Sequence, residues 1–341
     1  MLDLTLGNSY IKRFSDLKNQ RKKEVSYERF YSLYWPHFNS QLIKKLDSYL
    51  VFTEIMSRIK GSTKAAECGK LSREDYCTLP ESRASSSLSM KTREMIYDIF
   101  QNYEKMKMQK GEFDIADIVI DLHRRLRTEK YKGDVMNFVF IDEVQDLTMA
   151  QIVLFKHICR NVEEGFVFCG DTAQTIGRGI DFRFQDVRSL FYNKFVLESK
   201  SQFLNKNNEK MKGCISDIFM LSENFSTHAE VLKLSQSVIE LLFHFFPNSI
   251  DMLKVETSLV YGESPIVIQS MNGENPILTI FGGNGYNGGN IGGFREDQVI
   301  LVRDDSTKEE IMHLVGKQAL VLTILECKGL QFKVFTTLDY A

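Results

Sequence analysis

Two clusters of polar residues, each set directly after an apolar run, carry the chemistry available to this 341-residue sequence. In "NFVFIDEVQDL" (residues 137–147), apolar residues run straight into Asp142 and Glu143, with Gln145 and Asp146 close behind. In "FVFCGDTAQTI" (residues 166–176), a second apolar run reaches Gly170, Asp171 and Gln174. Carboxylates at the end of a strand have two readings: a polar turn that closes the strand, or chemistry on a nucleotide. In the second reading Asp142 holds Mg²⁺, usually through water, and Glu143 is the general base that activates an attacking water. Gly170 lets the chain turn tightly off its strand. Asp171 then offers a carboxylate, and Gln174 a neutral amide that can detect a γ-phosphate without adding charge.

These residues need elements to hold them. "NFVFI" (residues 137–141) is a short run of aromatic and branched residues bounded by Gly133 and the acids, which predicts a strand buried on both faces. Thr148 is an N-cap for a helix carrying Met149, Ile152, Val153, Phe155 and Ile158. Gly165 ends that helix and "FVFCG" supplies a second buried strand. Strand, helix and strand over such a short span form a βαβ unit and imply a parallel sheet, whose ligands sit beyond the carboxyl ends of the strands. Asp142, Glu143 and Asp171 all fall at that edge. Upstream, residues 91–110 place Met95, Ile96, Ile99, Phe100 and Tyr103 on one helix face, and residues 40–60 carry a similar period, whereas "KGSTKAAECGKLSRED" (residues 60–75) reads as a loop. Downstream, "SPIVIQS", "QVILVRDD" and "ALVLTI" are strand candidates. A helix lies between the last two, with Ser306 and Glu309 at capping-box spacing. "LNKNNEKMKG" (residues 204–213) and the glycine-rich stretch around "GNGYNG" (residues 283–288) read as flexible loops; the latter lacks the following helix a dinucleotide fingerprint needs.

The same residues resemble a known family. "FIDEVQD" and "FCGDTAQTI" are similar to motifs II and III of UvrD/Rep-type superfamily 1 helicases, written DExQD and GDxxQ(S/T)I. "GEFDIADIVIDLHRRL" resembles the Phe-Asp-x-x-Asp-Leu helix ahead of motif II. "LSENFST" (residues 221–227) resembles LxxNYRS, and "LTILECKGLQF" (residues 322–332) resembles motif V, T-x-x-x-x-KGLEF. Among subgroups, the sequence most resembles the UvrD-like domain of large proteins that also carry TPR or ankyrin repeats. The resemblance implies an α/β fold, a P-loop NTPase (RecA-like) parallel sheet. Residues 1–130 would form a helical region with a 1B-like insertion. Residues 131–220 would form the rear of the first RecA-like domain, and residues 221–341 a partial second one. It implies ATP and Mg²⁺ at Asp142 and Glu143, with Asp171 at the nucleotide and with Gln145 and Gln174 coupling nucleotide state to domain movement. Lys328, Gly329 and Gln331 would lie near nucleotide at the interdomain cleft. Thr323 in motif V and the pair Phe182-Arg183 would touch single-stranded DNA or RNA, although core packing is at least as good a reading for Phe182 and Phe184.

Departures from the family pattern bear on activity. No GxxxxGK(S/T) phosphate loop occurs; "CGKLS", "KGSTK" and "VGKQ" lack its spacing. Ser226 stands where the family has an arginine, and Gln331 where it has a glutamate. Loss of a phosphate-clamping arginine alone lowers turnover by about 10³ to 10⁵. The expectation is a helicase piece that lacks activity alone, with its partner domains missing. The alternative is a non-catalytic, helicase-derived interaction module. Net charge of -2 gives no global pull toward nucleic acid or membrane, no apolar run is long enough to span a bilayer, and the N-terminus does not read as a secretory signal. Six scattered cysteines without a CxxC pair suggest neither zinc nor disulfides, and Cys159 and Cys169 read as core residues of a reduced, intracellular protein.

Overall fold

A computed structural model describes residues 23–79, 88–129, 131–199, 215–247, 250–266, 298–315, 319–330, 332 and 334–338. The chain divides into two compact units, residues 1–220 with 239–253, and residues 221–238 with 254–341.

In the first unit helices come first. Helix α1 (Tyr27–Leu33) starts at Ser26, whose hydroxyl accepts from the Arg29 N–H, and α2 (Ser48–Thr53) starts at Asp47, whose carboxylate accepts from the Leu50 N–H. Helix α2 runs on as a wide π-helical segment, Glu54–Ile59. The stretch expected to be a loop instead holds two short helices, Thr63–Cys68 and Arg73–Cys77, because Ser62 and Ser72 cap their first turns and Gly69 ends the first in the left-handed conformation. Helix α3 (Met90–Lys110) buries Ile96, Ile99, Phe100 and Tyr103 against Phe30, Tyr34, Phe52 and Ile55, as its period predicts. Helix α4 (Ile115–Thr128) opens with a capping box made by Asp114 and Asp117.

Strand β1 (Val139–Ile141), helix α5 (Met149–Leu154) and strand β2 (Phe166–Phe168) form the expected βαβ unit, with Val139 opposite Phe166 and Ile141 opposite Phe168 in parallel register. Thr148 caps α5 in a capping box with Gln151. Val139 and Ile141 pack on Ile152 and Val153 of α5 and on Val187, Leu190 and Phe195. These last three lie on helix α6 (Phe184–Leu190) and its π-helical continuation, Phe191–Leu197. The expectation of a strand buried on both faces is corrected: Phe140 is 74% exposed, and Phe138 and Val167 beside it are exposed too. Successive side chains of a strand point to opposite faces, and among the described residues only one face of this pair is covered. Cys159 is buried as expected, whereas Cys169, on the open side, is exposed.

Helix α7 (Ala229–Phe245) follows. The second unit holds a three-stranded sheet in the order β4-β3-β5, all parallel: β3 (Gln298–Val302), β4 (Leu320–Thr323) and β5 (Val334–Leu338). Helix α8 (Asp305–Val315) connects β3 to β4 and buries Ile311 and Val315 against Ile300, Val302 and Val321. Its cap is Asp304, whose Oδ1 accepts from the Thr307 N–H at 2.9 Å, not the expected Ser306. A short helix α9 (Ile324–Cys327) leaves β4 directly. The 264–270 strand candidate shows no strand in its described part, residues 264–266; the two flexible-loop stretches and Gln331 lie outside the described residues. No described helix is long and apolar enough to cross a membrane.

Candidate nucleotide site

The carboxyl ends of β1 and β2 are tied together before any ligand is considered. The Cys169 N–H donates to Ile141 O at 2.8 Å, and the Val144 N–H donates back to Cys169 O at 3.0 Å. Between these bonds, Asp142 and Glu143 leave the sheet. Asp142 is exposed, and its Oδ1 accepts from the Glu143 N–H at 3.0 Å. Glu143 has φ 53°, the one left-handed non-glycine residue among those described. An L-residue holds that conformation at a cost of about 1–2 kcal/mol, and such strain gathers where surrounding contacts impose it for a purpose.

Gln145 is the clamp. Its side chain is fully buried; Nε2 donates to the Glu143 carboxylate at 2.5 Å and Oε1 accepts from the Asp171 N–H at 3.1 Å. One amide therefore fixes the acid after β1 and the backbone after β2. Gly170 makes this possible, since a Cβ there would lie 2.2 Å from Gln145 Oε1. Asp171 caps the next turn by accepting from the Ala173 N–H at 2.9 Å, and its other oxygen accepts from Gln174 Nε2 at 2.9 Å. The structure thus brings Asp142, Glu143, Gln145, Asp171 and Gln174 to one sheet edge. An exposed carboxylate on a rigid strand end suits a hydrated Mg²⁺, and the neighbouring glutamate, aimed by a buried amide, is a carboxylate of fixed direction suited to orienting water.

Asp146 was given no role from sequence alone, yet its Oδ1 accepts from the N–H groups of Ile176 and Gly177 at 3.2 and 3.1 Å, fastening the loop that follows Gln174. Ser57 and Arg58 were also missed. The Ser57 hydroxyl donates to Gly179 O at 2.6 Å and accepts from the Asp181 N–H at 2.8 Å, while Arg58 pairs with Asp181. Nothing in the sequence signals that partnership, because the residues lie more than a hundred positions apart.

The remaining candidates fall elsewhere. Phe182 is 3% exposed and packs edge-on to Phe184 at 5.3 Å, so its ring has no free face for a base and the core reading is the observed one. Arg183 donates to Ile250 O at 2.8 Å and lies 3.7 Å from Asp251. In the second unit, Thr323 is buried and caps α9. Its hydroxyl accepts from the Glu326 N–H at 3.2 Å. Glu326 accepts from the Thr323 N–H and pairs with Lys308 at 2.6 Å. Lys328 is half-buried, and Gly329 turns the chain with φ 79°. Asn224, in the "NFST" stretch, accepts from the N–H groups of Ser226 and Thr227 at 3.0 and 2.8 Å, so Ser226 closes a turn.

The model of the UvrD/REP helicase N-terminal domain matches residues 6–196, more than half of the chain and all of this sheet edge. The chain belongs to the UvrD-like helicase family. It is 34% identical over 313 residues to the human TPR and ankyrin repeat-containing protein 1, covering 90% of this chain and 10% of that protein. It is 27% identical over 143 residues to an ATP-dependent helicase/nuclease component from Syntrophomonas wolfei, covering 41% of this chain and 10% of that protein. The chain therefore spans about a tenth of the length of these curated relatives. The helicase-family reading of the motifs holds, and so does the likeness to proteins with TPR and ankyrin repeats.

Proposed function

We propose that the β1–β2 edge is the magnesium and water side of an ATP site on a RecA-like sheet, and that the longer protein uses it for ATP-driven movement on nucleic acid. Asp142 would hold the hydrated Mg²⁺, Glu143 would orient the attacking water, and Gln174 would sense the γ-phosphate. When bound, Mg²⁺ neutralises charge on the phosphate oxygens. The observation that carries this reading is the buried Gln145 amide, which bonds the Glu143 carboxylate and the Asp171 N–H at once. A turn that only ended a strand would not require a strained glutamate locked to the neighbouring strand end.

Lys328 and Gly329 are proposed to bind nucleotide, as the resemblance of their motif implies. The sequence holds no GxxxxGK(S/T), so nucleotide binding by this chain alone is expected to be weak. Titration calorimetry with Mg²⁺-ATP tests the reading, with Asp142→Asn and Glu143→Gln as controls. Mg²⁺-dependent heat that vanishes in Asp142→Asn supports it; no heat at millimolar nucleotide from folded protein overturns ATP binding by this chain. A second reading, a helicase-derived interaction module without ATP chemistry, is favoured by Ser226. Its hydroxyl closes a turn on Asn224 where the family pattern places an arginine.

A further inference from the structure

Helix α5 starts at the carboxyl ends of the strands, where Thr148 caps it, and runs back towards their amino ends. There it continues as a single turn, Phe155–His157, and the Met136 N–H, just ahead of β1, donates to Ile158 O at 2.8 Å. Beside this turn, at the end of the sheet away from Asp142, lies a cavity of about 100 Å³, room for several waters or one small oxyanion. It is walled by the short helix Thr63–Cys68, by α4, by α5 with its last turn, and by the π-helical segment after α6 with Glu198 just beyond.

The side chains that line this cavity are mostly polar. Lys156 and His157 come from the turn, His123 and Arg127 from α4, Lys194 and Glu198 from the π-helical side, and Glu67 from the short helix. Three cations stand against two acids, so a positive charge is left before either imidazole is protonated. Glu198 is shared by Lys156 at 2.9 Å and Lys194 at 2.6 Å, and Lys194 also reaches Glu67. Both carboxylates are well exposed, so an entering anion can share those lysines at little cost. Among the described residues Arg127 pairs with no carboxylate; its guanidinium donates to the backbone oxygen of Glu67.

Two imidazoles complete the lining. His123 is buried, and its Nε2 donates to Ala150 O at 2.7 Å. No hydrogen bond from the described residues reaches the His157 ring, which leaves its N–H for a ligand. Burial lowers the pKa of both rings. At His123 the bond to Ala150 opposes this, while Lys156 and Arg127 reinforce it more strongly than Glu67 resists; at His157 Lys156 and then His123 reinforce it. The cations therefore prevail over the acids at both rings, which suits an anion and disfavours a metal ion despite the imidazoles and carboxylates present.

We propose that Arg127, Lys156 and Lys194, with His157, form a binding site for a small dianionic oxyanion of the phosphate class, at the opposite end of the sheet from the nucleotide edge. A planar guanidinium offers paired N–H groups to phosphate oxygens, and the ammonium groups act as point charges. A bound dianion draws a proton onto His157, so binding and proton uptake are linked. The site makes no use of Asp142 or Glu143 and does not depend on ATP binding.

The test follows the histidine ring signals of the full chain by NMR during titration with sodium sulfate, which stays fully ionised as pH changes, against sodium chloride at equal ionic strength. His157→Gln assigns the His157 signals by their loss. Sulfate, and not chloride, is expected to shift those signals saturably, and to bind several-fold more tightly at about pH 5.5 than at about pH 7.5. His157→Gln, followed at the His123 ring, should still bind sulfate at the higher pH and lose most of the gain on acidification. Arg127→Ala should weaken binding about tenfold. Glu198→Gln, which releases Lys156 and Lys194 to the anion, should tighten it a few-fold, a sign that loss of fold cannot give. Saturable binding of inorganic phosphate or glycerol phosphate at the higher pH supports the site, and the tighter of the two shows whether it takes the free ion or an ester. Ring signals that answer sulfate and chloride alike overturn the site, and so does an affinity that Arg127→Ala and Glu198→Gln both leave unchanged. Ring signals that respond to Zn²⁺ and not to sulfate overturn it in favour of a metal.

Discussion

Two groups of carboxylates in the first unit are built from the same side chains and come to opposite ends. Asp142 and Glu143 leave β1 at an open edge, and their described hydrogen bonds come from a backbone N–H and a neutral amide. Asp114, at the start of α4, is completely buried and sits among Lys60 Nζ at 2.6 Å, Lys107 Nζ at 2.5 Å and the Tyr103 hydroxyl at 3.0 Å. Asp117 and Glu104 complete that cluster through the same two lysines. Oxygens of Glu104, Asp114 and Asp117 lie within 4.8 Å of one another, a spacing that would suit a cation, but the two ammonium groups already fill that role. Burial alone would raise the Asp114 carboxyl; Lys60 and Lys107 outweigh it and hold the group well below the ordinary carboxylate range. Burial likewise opposes the charge on Lys60, and Asp114, Asp117 and Glu104 more than reverse that. A carboxylate whose charge is cancelled by buried lysines holds a fold, and one exposed at a strand end, as Asp142 is, can still bind a cation.

The comparison predicts very different costs. Asp114→Ala removes the fully buried carboxylate that joins Lys60, Lys107 and the Tyr103 hydroxyl, leaves both lysines to the half-exposed Glu104 and Asp117, and deletes the α4 cap, so it should cost about 3–5 kcal/mol or prevent folding, read as a lowered urea midpoint. A loss below about 1 kcal/mol would mean the cluster is wet and loosely held. Gln145→Leu keeps the volume but leaves the Asp171 N–H and the Glu143 carboxylate without their amide. A loss of about 2 kcal/mol is expected, with faster hydrogen exchange at the Asp171 amide.

Acid sensitivity gives a third, similar effect from a site that belongs to neither group. Burial, with help from Lys156 and His123, pushes His157 down to about 4 from its ordinary 6.5. His123 is also lowered by burial; its Nε2 carries the proton, since it donates to Ala150 O at 2.7 Å. The unfolded chain therefore takes up protons on both residues at a higher pH than the folded one. Stability is complete above the unfolded value and falls as pH drops from about 6.5 towards about 4, on the order of 2 kcal/mol for His157. His157→Gln should flatten that part of the profile, and an unchanged slope in urea titrations across the window would show that His157 is not the group responsible.

The βαβ unit was legible because it depends on local signals: two apolar runs, a threonine cap, and a glycine between. The covered faces were not. An all-apolar run such as "NFVFI" states that a strand can be buried twice, and only the neighbours present decide whether Phe140 is. Caps were legible where one hydroxyl had one plausible partner, as at Thr148. They were misread where two candidates stood together, as at Asp304 and Ser306. The chemistry of Asp142, Glu143, Asp171 and Gln174 could be read from residue types at strand ends. The setting of those residues could not, since Gln145 bonds across 26 positions to Asp171, and Ser57 across 124 to Asp181. Lys60 and Asp114 are likewise 54 positions apart, which is why a sequence that names the acids at both places does not reveal which ones are already neutralised.

The smallest structural effect gives the sharpest test of the comparison. Asp142→Asn removes a charge from an exposed residue whose described hydrogen bond, from the Glu143 N–H to Oδ1, an asparagine can also accept. Thermal stability should therefore stay within about 0.5 kcal/mol of wild type. In the absence of Mg²⁺ the two proteins should be indistinguishable. Added Mg²⁺ with nucleotide should raise the midpoint of wild type alone, because a ligand that binds only the folded state stabilises it by mass action and the variant has lost the anchoring charge. An equal rise in both proteins would place the cation at other carboxylates. A large loss of stability in Asp142→Asn without any ligand would make Asp142 a structural acid like Asp114, and the distinction between the two groups would collapse.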